Sequence, residues 1–161
     1  MFVYSLRAST VKLFAFILVA VALIFGIVGL SADASVGAST SLDGEVDYSG
    51  IRSKEDRLAF INRLGIETTG EESAGSFVVP KSLDRVILGY NEIQKKQGLD
   101  VSKYTRKRIT RYTYEVTNFN SDCKVYANLF VYRNRIIACD VSSVDGGFVY
   151  PMTQLPDGSL K

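Results

Sequence analysis

One stretch of the chain differs from all the rest: from Leu13 to Leu30 no charged or strongly polar side chain appears. Helical rise carries those residues about 27 Å, close to the roughly 30 Å hydrocarbon thickness of a bilayer. The pattern therefore predicts a transmembrane helix over 13–30, after a short cytoplasmic segment, 1–12. Small and polar side chains without periodicity follow, and 31–50 reads as a flexible linker. Ser53-Lys-Glu-Asp56 opens a helix in the manner of a capping box, with Leu58, Ile61 and Leu64 on one face and Gly65 at its stop. Ile66-Glu-Thr and Phe77-Val-Val79 suggest two short strands or one broken edge. Pro80 is expected to open a second helix, with Leu83, Val86, Ile87, Tyr90, Ile93 and Gln97 along one face and Gly98 at its end. Three strands follow, Ile109–Thr117, Val125–Tyr132 and Ile136–Val141, the last two joined by a three-residue loop, Arg133-Asn134-Arg135. In that register Val131 faces Ile137, Leu129 faces Cys139 and Ala127 faces Val141. The expected fold class is α+β: the transmembrane helix, then two helices packed on a small antiparallel sheet ending in a three-strand meander. The domain spans 51–150, with 151–161 as a tail.

Charge decides the orientation of the first segment. Arg7 and Lys12 precede the apolar run and Asp33 follows it, so the positive-inside rule leaves the N-terminus in the cytoplasm and the domain outside. The competing reading is a signal peptide cleaved after Ala34, because Ala32-Asp33-Ala34 has the small-x-small form. The run is longer than the 7 to 15 residues usual for such a signal, which favours the uncleaved anchor. A buried soluble helix would not need so long an uncharged run. Both leading readings export the domain, to the outer face of the cytoplasmic membrane or into the medium.

The whole chain carries 19 Lys+Arg against 17 Asp+Glu and no histidine. So even a balance disfavours neutralising a run of phosphates, and no nucleic-acid partner is expected. Without histidine there is no imidazole base, no Ser-His or Cys-His nucleophile and no zinc site that needs one. Two cysteines cannot make a four-thiolate site, and no cofactor is implied.

The remaining candidates each have a plain alternative. Cys123 and Cys139 raise the question of a disulfide in an exported domain. In the hairpin register they lie about 20 Å apart, whereas a disulfide needs Cα atoms within about 7 Å. Two separate thiols are expected unless the chain bends sharply. Lys103, Arg106, Lys107, Arg108 and Arg111, with Tyr112 and Tyr114, form a binding patch for anionic lipid or polymer, or else a solvated strand entrance. Tyr104, Tyr112, Tyr114, Tyr126 and Tyr132, with Phe119 and Phe130, read as a ligand platform or as ordinary sheet packing. Asn128 and Asp140 are cross-strand neighbours on the outer face, and Glu115 is on the adjacent strand. They would serve glycoside hydrolysis as a carboxylate pair, or simply form an exposed hydrogen-bonded pair.

Three stretches together are distinctive: Tyr90-Asn-Glu-Ile-Gln-Lys-Lys-Gln-Gly-Leu-Asp-Val-Ser-Lys-Tyr104, Arg111-Tyr-Thr-Tyr-Glu-Val-Thr-Asn-Phe119 and Ala127-Asn-Leu-Phe-Val-Tyr132. From about Ser53 to Phe148 the chain resembles an uncharacterised bacterial family, the domain of unknown function 4830 family. The resemblance implies a short membrane-anchored protein with this order of elements, and it implies no activity, substrate or catalytic residue. The expected function is then a non-catalytic module of the cell envelope, anchored through Leu13 to Leu30, with an envelope protein or anionic polymer as partner. The alternatives are a small envelope hydrolase using carboxylates such as Asp140 and Glu115, and a secreted soluble protein.

Overall fold

The computed structural model describes residues 46–161, so the expected cytoplasmic segment, membrane helix and most of the linker lie outside the described residues. Among those described, no helix is long and apolar enough to cross a membrane. Over the described residues the α+β class holds: two α-helices and a five-stranded antiparallel sheet in the order β1-β2-β3-β4-β5.

Helix α1, Lys54–Arg63, begins where its capping box requires. The Ser53 hydroxyl accepts from the Asp56 N–H, while the Asp56 carboxylate accepts from the backbone N–H of Ser53 and Arg52. Three backbone donors are thereby satisfied, and acids occupy the positive end of the helix dipole. Its inward face carries Phe60 and Ile61, both fully buried, each stabilising by about 1.5–3 kcal/mol through lost apolar surface.

Strand β1 is one continuous element, Thr68–Val78, where two short strands or a broken edge was expected. Its Gly-Glu-Glu-Ser-Ala-Gly centre has little strand preference of its own. Pairing with β2, Arg108–Val116, holds it extended, and a bulge between Thr68 and Glu72 absorbs the misfit, with Gly70 at φ 76°. Helix α2 runs Arg85–Lys95, capped by the Asp84 carboxylate on the Ile87 N–H. Pro80 therefore ends the β1 extension without opening the helix. At the far end Gly98 takes φ 78°, and the Gly98 and Leu99 N–H groups return to the carbonyls of Lys95 and Gln94. A short 3₁₀ helix, Val101–Tyr104, leads into β2.

Strands β3, Val125–Tyr132, and β4, Arg135–Ser143, meet through a two-residue turn, Arg133-Asn134, with both residues at positive φ (45° and 63°). This corrects the expected three-residue loop. The shorter loop shifts the register by one, pairing Val131 with Ile136, and a bulge at Ile137 shifts it back. Leu129 then faces Cys139 and Ala127 faces Val141, as the alternation of apolar residues requires. Strand β5, Val149–Pro151, extends the sheet beyond the expected meander.

The helices cover opposite faces of the sheet. One face, with Tyr114, Val116, Ala127, Leu129 and Val141, packs against Phe60 and Ile61 of α1 and against Tyr48, Ile66 and Met152. The other, with Ile109, Phe130, Ile137 and Tyr132, packs against Leu83 and Tyr90 at α2 and Val101 of the 3₁₀ helix. Both margins of the expected domain are folded. Tyr48, assigned to the linker, is buried, packs tilted against Phe60 with ring centroids 5.8 Å apart and donates its hydroxyl to the Gln97 carbonyl at 2.7 Å. In the expected tail, Met152 is buried and Leu160 bridges to Phe119.

Candidate functional site

The alternation of the strands puts Arg111 and Thr113 of β2, Asn128 of β3, and Asp140 and Ser142 of β4 on the α2 face. The Asn128 Oδ1 accepts from Arg111 Nη2 at 2.8 Å, Arg111 Nε at 3.1 Å and the Thr113 hydroxyl at 2.9 Å. Its Nδ2 donates to Asp140 Oδ1 at 2.7 Å and to the Ser142 hydroxyl at 3.0 Å. The second Asp140 oxygen accepts from the Tyr90 hydroxyl at 2.7 Å, which ties α2 to the sheet. Asn128 and Asp140 are cross-strand partners as expected, but they are buried (2% and 4% exposed) where an exposed pair was expected. Helix α2 covers this part of the face. Burial pushes the Asp140 carboxyl above the usual carboxylate range, against the pull of Tyr90, Asn128 and Arg111. Burial and the neighbouring Asp140 push the Tyr90 phenol up as well. Arg111 reaches the acid only through the Asn128 amide, whose two ends suit a cation and an anion. Glu115 lies on the same face, one alternate position along β2 from Thr113, and its carboxylate binds Lys124 at 3.0 Å.

Helix α2 also reaches the edge of β4. Gln94 Oε1 accepts from the Cys139 N–H at 2.9 Å, and Gln97 Nε2 donates to the Cys139 carbonyl at 2.6 Å and to Gln94 Oε1 at 2.8 Å. β5 pairs with β4 only from Asp140 onward, so the two side-chain amides continue the ladder where the strand stops. The buried polar side chains of α2 are therefore Asn91 and Gln94, while Val86, Ile87 and Ile93 of the expected apolar face remain half-buried. Sequence reasoning missed this, although Gln94 and Gln97 stand three apart on the inward side. Cys139 is buried and its thiol pushed up by burial; Cys123 sits half-buried in the β2–β3 connection. Both are free thiols.

The basic run does not stay together. Arg111 joins the Asn128 network, while Tyr112 and Tyr114 point to the opposite face. There Arg57 of α1 lies 3.7 Å from the Tyr112 ring centroid and forms a forked pair with Glu72 at 2.9 and 3.1 Å. Tyr114, fully buried, donates its hydroxyl to Glu72 and accepts from Arg57 Nε. Lys103, Arg106, Lys107 and Arg108 stay exposed, with Lys103 3.9 Å from Asp100.

Other cations arrive at the same end of the sheet. Val78 pairs with Arg108 and Tyr132 with Arg135, so the end of β1, the start of β2 and the β3–β4 turn lie together. Lys81 follows β1 there, Arg133 and Arg135 flank Asn134, and Arg52 follows Ile51, whose N–H donates to the Asn134 carbonyl. All four are exposed. The opposite end carries exposed Glu67, Glu71, Asp122 and Asp145. Among the described residues no cluster of Cys, Asp and Glu could hold a metal ion. A cleft of about 410 Å³ lies elsewhere, between the end of α1 and residues 152–160.

The family model described as Domain of unknown function (DUF4830) matches residues 72–141. The match runs from Glu72 in β1 to Val141 in β4, narrower than the resemblance from Ser53 to Phe148, and it includes the glutamine cap and the Asn128 network. No curated protein and no solved structure matches the chain.

Proposed function

We propose that this chain, which matches the DUF4830 family model over residues 72–141, is a non-catalytic binding module of a bacterial cell envelope. In this reading Leu13 to Leu30 anchor it in the cytoplasmic membrane, with the domain outside and an envelope protein or anionic polymer as partner. The observation that carries the reading is the gathering of exposed cations at one end of the strand axis. Arg52, Lys81, Arg106–Arg108, Arg133 and Arg135 gather at one end, and that is the end where Tyr48 and Ile51 join the sheet. The carboxylates inside the fold are meanwhile occupied: Asp140 with Tyr90 and Asn128, Glu72 with Arg57 and Tyr114.

Fractionation of producing cells followed by intact mass tests the anchor. Full-length protein in a membrane pellet that resists salt and alkali is the expected result; a mass beginning at Ser35 in the soluble exported fraction overturns it. Crosslinking from position 107 at the membrane surface then identifies the partner. An Asp140→Asn, Glu115→Gln pair that folds and loses a measurable hydrolysis would replace binding with catalysis.

A further inference from the structure

We infer that the basic end of the sheet docks on the anionic phospholipid headgroups of the membrane that anchors the chain, so that the domain stands on this end. The inference rests on the anchor reading of Leu13 to Leu30, and it gives the basic end to lipid in place of the anionic polymer.

Four segments far apart in sequence supply the cations: Arg52, Lys81, Arg106–Arg108 and the Arg133/Arg135 pair. Acids near these cations make hydrogen bonds of their own, Asp56 to the backbone of Arg52 and Ser53 among them. Asp84 caps α2, Asp100 binds Ser102 and Asn91 beside Lys103, and Asp47 binds Ser49 and faces Arg135. Among the described residues, Lys107 and Arg108 have no ion-pair partner.

Apolar groups stand among these charges. Val78 is 45% exposed next to Arg108, and Tyr104 and Tyr132 form a half-buried edge-on pair with centroids 5.6 Å apart. Cations mixed with tyrosine and an exposed aliphatic side chain suit a membrane interface, where aromatic rings settle at headgroup depth. A soluble polyanion would need only the charge.

Chain geometry points the same way. Tyr48 and Ile51 bond to Ile136 and Asn134 at this end, so the route from the anchor arrives beside the cations. However residues 31–45 are arranged, covalent geometry limits their reach to about 50 Å. The acidic end lies a strand length away, about 27 Å for eight residues. Standing on the basic end brings cations within a Debye length, about 8–10 Å, of the surface and removes the acids from it.

The test uses the full chain in lipid nanodiscs of phosphatidylcholine alone or with about one-third phosphatidylglycerol, an anionic fraction that gives a negative surface potential. Energy transfer to a headgroup dye is read from a label on Cys123, toward the acidic end, and from one on Ser82→Cys in a Cys123→Ser background, at the basic end. On anionic discs Ser82→Cys should lie nearer the lipid than Cys123. The difference should vanish in high salt and in the Lys81→Glu, Lys107→Glu, Arg108→Glu variant, with unchanged thermal unfolding. Each cation neutralised should weaken docking about fivefold. Equal transfer from both sites on anionic discs, or a difference indifferent to charge and salt, overturns the proposal. Equal transfer while dextran sulfate still retards the wild type, and not the variant, also overturns it and assigns the patch to soluble polymer. Loss of the protein from discs on an alkaline wash reports separately against the anchor.

Discussion

The Gln97 side chain stands in for a missing strand opposite Cys139, donating to its carbonyl at 2.6 Å while Gln94 accepts its N–H. Thr153 in turn donates to Gln97 Oε1 through both its N–H and its hydroxyl. Replacing Gln97 by Leu orphans several buried groups at once. A loss of about 2–4 kcal/mol is expected, since each unmet buried partner costs about 1–3 kcal/mol. Lys95→Ala and Lys96→Ala, on the exposed side, should stay within about 0.5 kcal/mol. Denaturant unfolding of the variants compares them, and equal losses at all positions would refute the edge-cap role.

Asp140 gives a pH signature of unusual sign. Its folded-state carboxyl titrates above the ordinary range, so above the ordinary carboxylate value the native state holds a proton that the unfolded chain has released. Its contribution to stability therefore falls as pH rises from that value through the raised one. Asp56, Asp100 and Asp145 titrate low because of their hydrogen bonds, and their contribution is lost as pH falls. Asp140→Asn should remove the first trend while leaving the second. It also turns an amide N–H toward a donor, Tyr90 or Asn128, at a cost of about 1–3 kcal/mol. Unfolding midpoints from pH 3 to 8 show both effects, and an unchanged pH slope in the variant would contradict this account.

Arg57 holds Glu72 and Tyr114 together under α1. Arg57→Ala leaves Glu72 facing Tyr112 and Tyr114 without its cation, and about 3 kcal/mol of stability should disappear, as for other buried pairs broken on one side. Tyr114→Phe keeps the ion pair and should lose about 1 kcal/mol, the net worth of a typical hydrogen bond. A reversed order would show that the hydroxyl, not the guanidinium, organises the cluster.

The thiols should report folding. Under native conditions a maleimide should modify Cys123 alone, because Cys139 is fully buried with its thiol pushed up. Unfolding should add the second thiol. Mass spectrometry reads the stoichiometry, and a chain with no free thiol after isolation from producing cells would reveal a bond that this geometry does not contain.

At the β3–β4 turn, Arg133 adopts φ 45°, a region where Asn or Gly is better tolerated. Asn134→Gly with Arg133→Asn should raise stability by about 0.5–1 kcal/mol, provided the Arg133 contact with the Tyr132 ring at 5.3 Å matters less than backbone strain. Thermal unfolding decides between them.

Much of the fold is legible in the chain because local signals and packing agree. Ser53 to Asp56 marks a helix start, and alternation from Tyr112 to Val116 marks a strand with one face in the core. The Asn128–Asp140 pairing follows from the apolar stripe, even though the loop length behind it differs. Turn and bulge each displace the register by one and cancel, so burial fixes the pairing without revealing how the turn achieves it. β1 is hidden because its neighbour, not its own residues, makes it extended. The inward face of α2 is hidden because its central contacts are hydrogen bonds to a strand edge, and hydrophobic periodicity is blind to those. The basic patch is legible only in part, for Arg52, Lys81, Arg133 and Arg135 join it through topology alone.

The contacts of Tyr48 bear on how the domain would respond to tension. A pull through Val46 meets the Ile136–Tyr48 and Asn134–Ile51 hydrogen bonds and the Tyr48 hydroxyl on Gln97 before it reaches α1. Gln97 also holds Cys139 and Thr153, so strain applied at Val46 would arrive at the β4 edge and the C-terminal segment together. Peeling Tyr48 from the sheet would loosen the glutamine cap, and a pull at one end of the strands would be felt along the β4 edge.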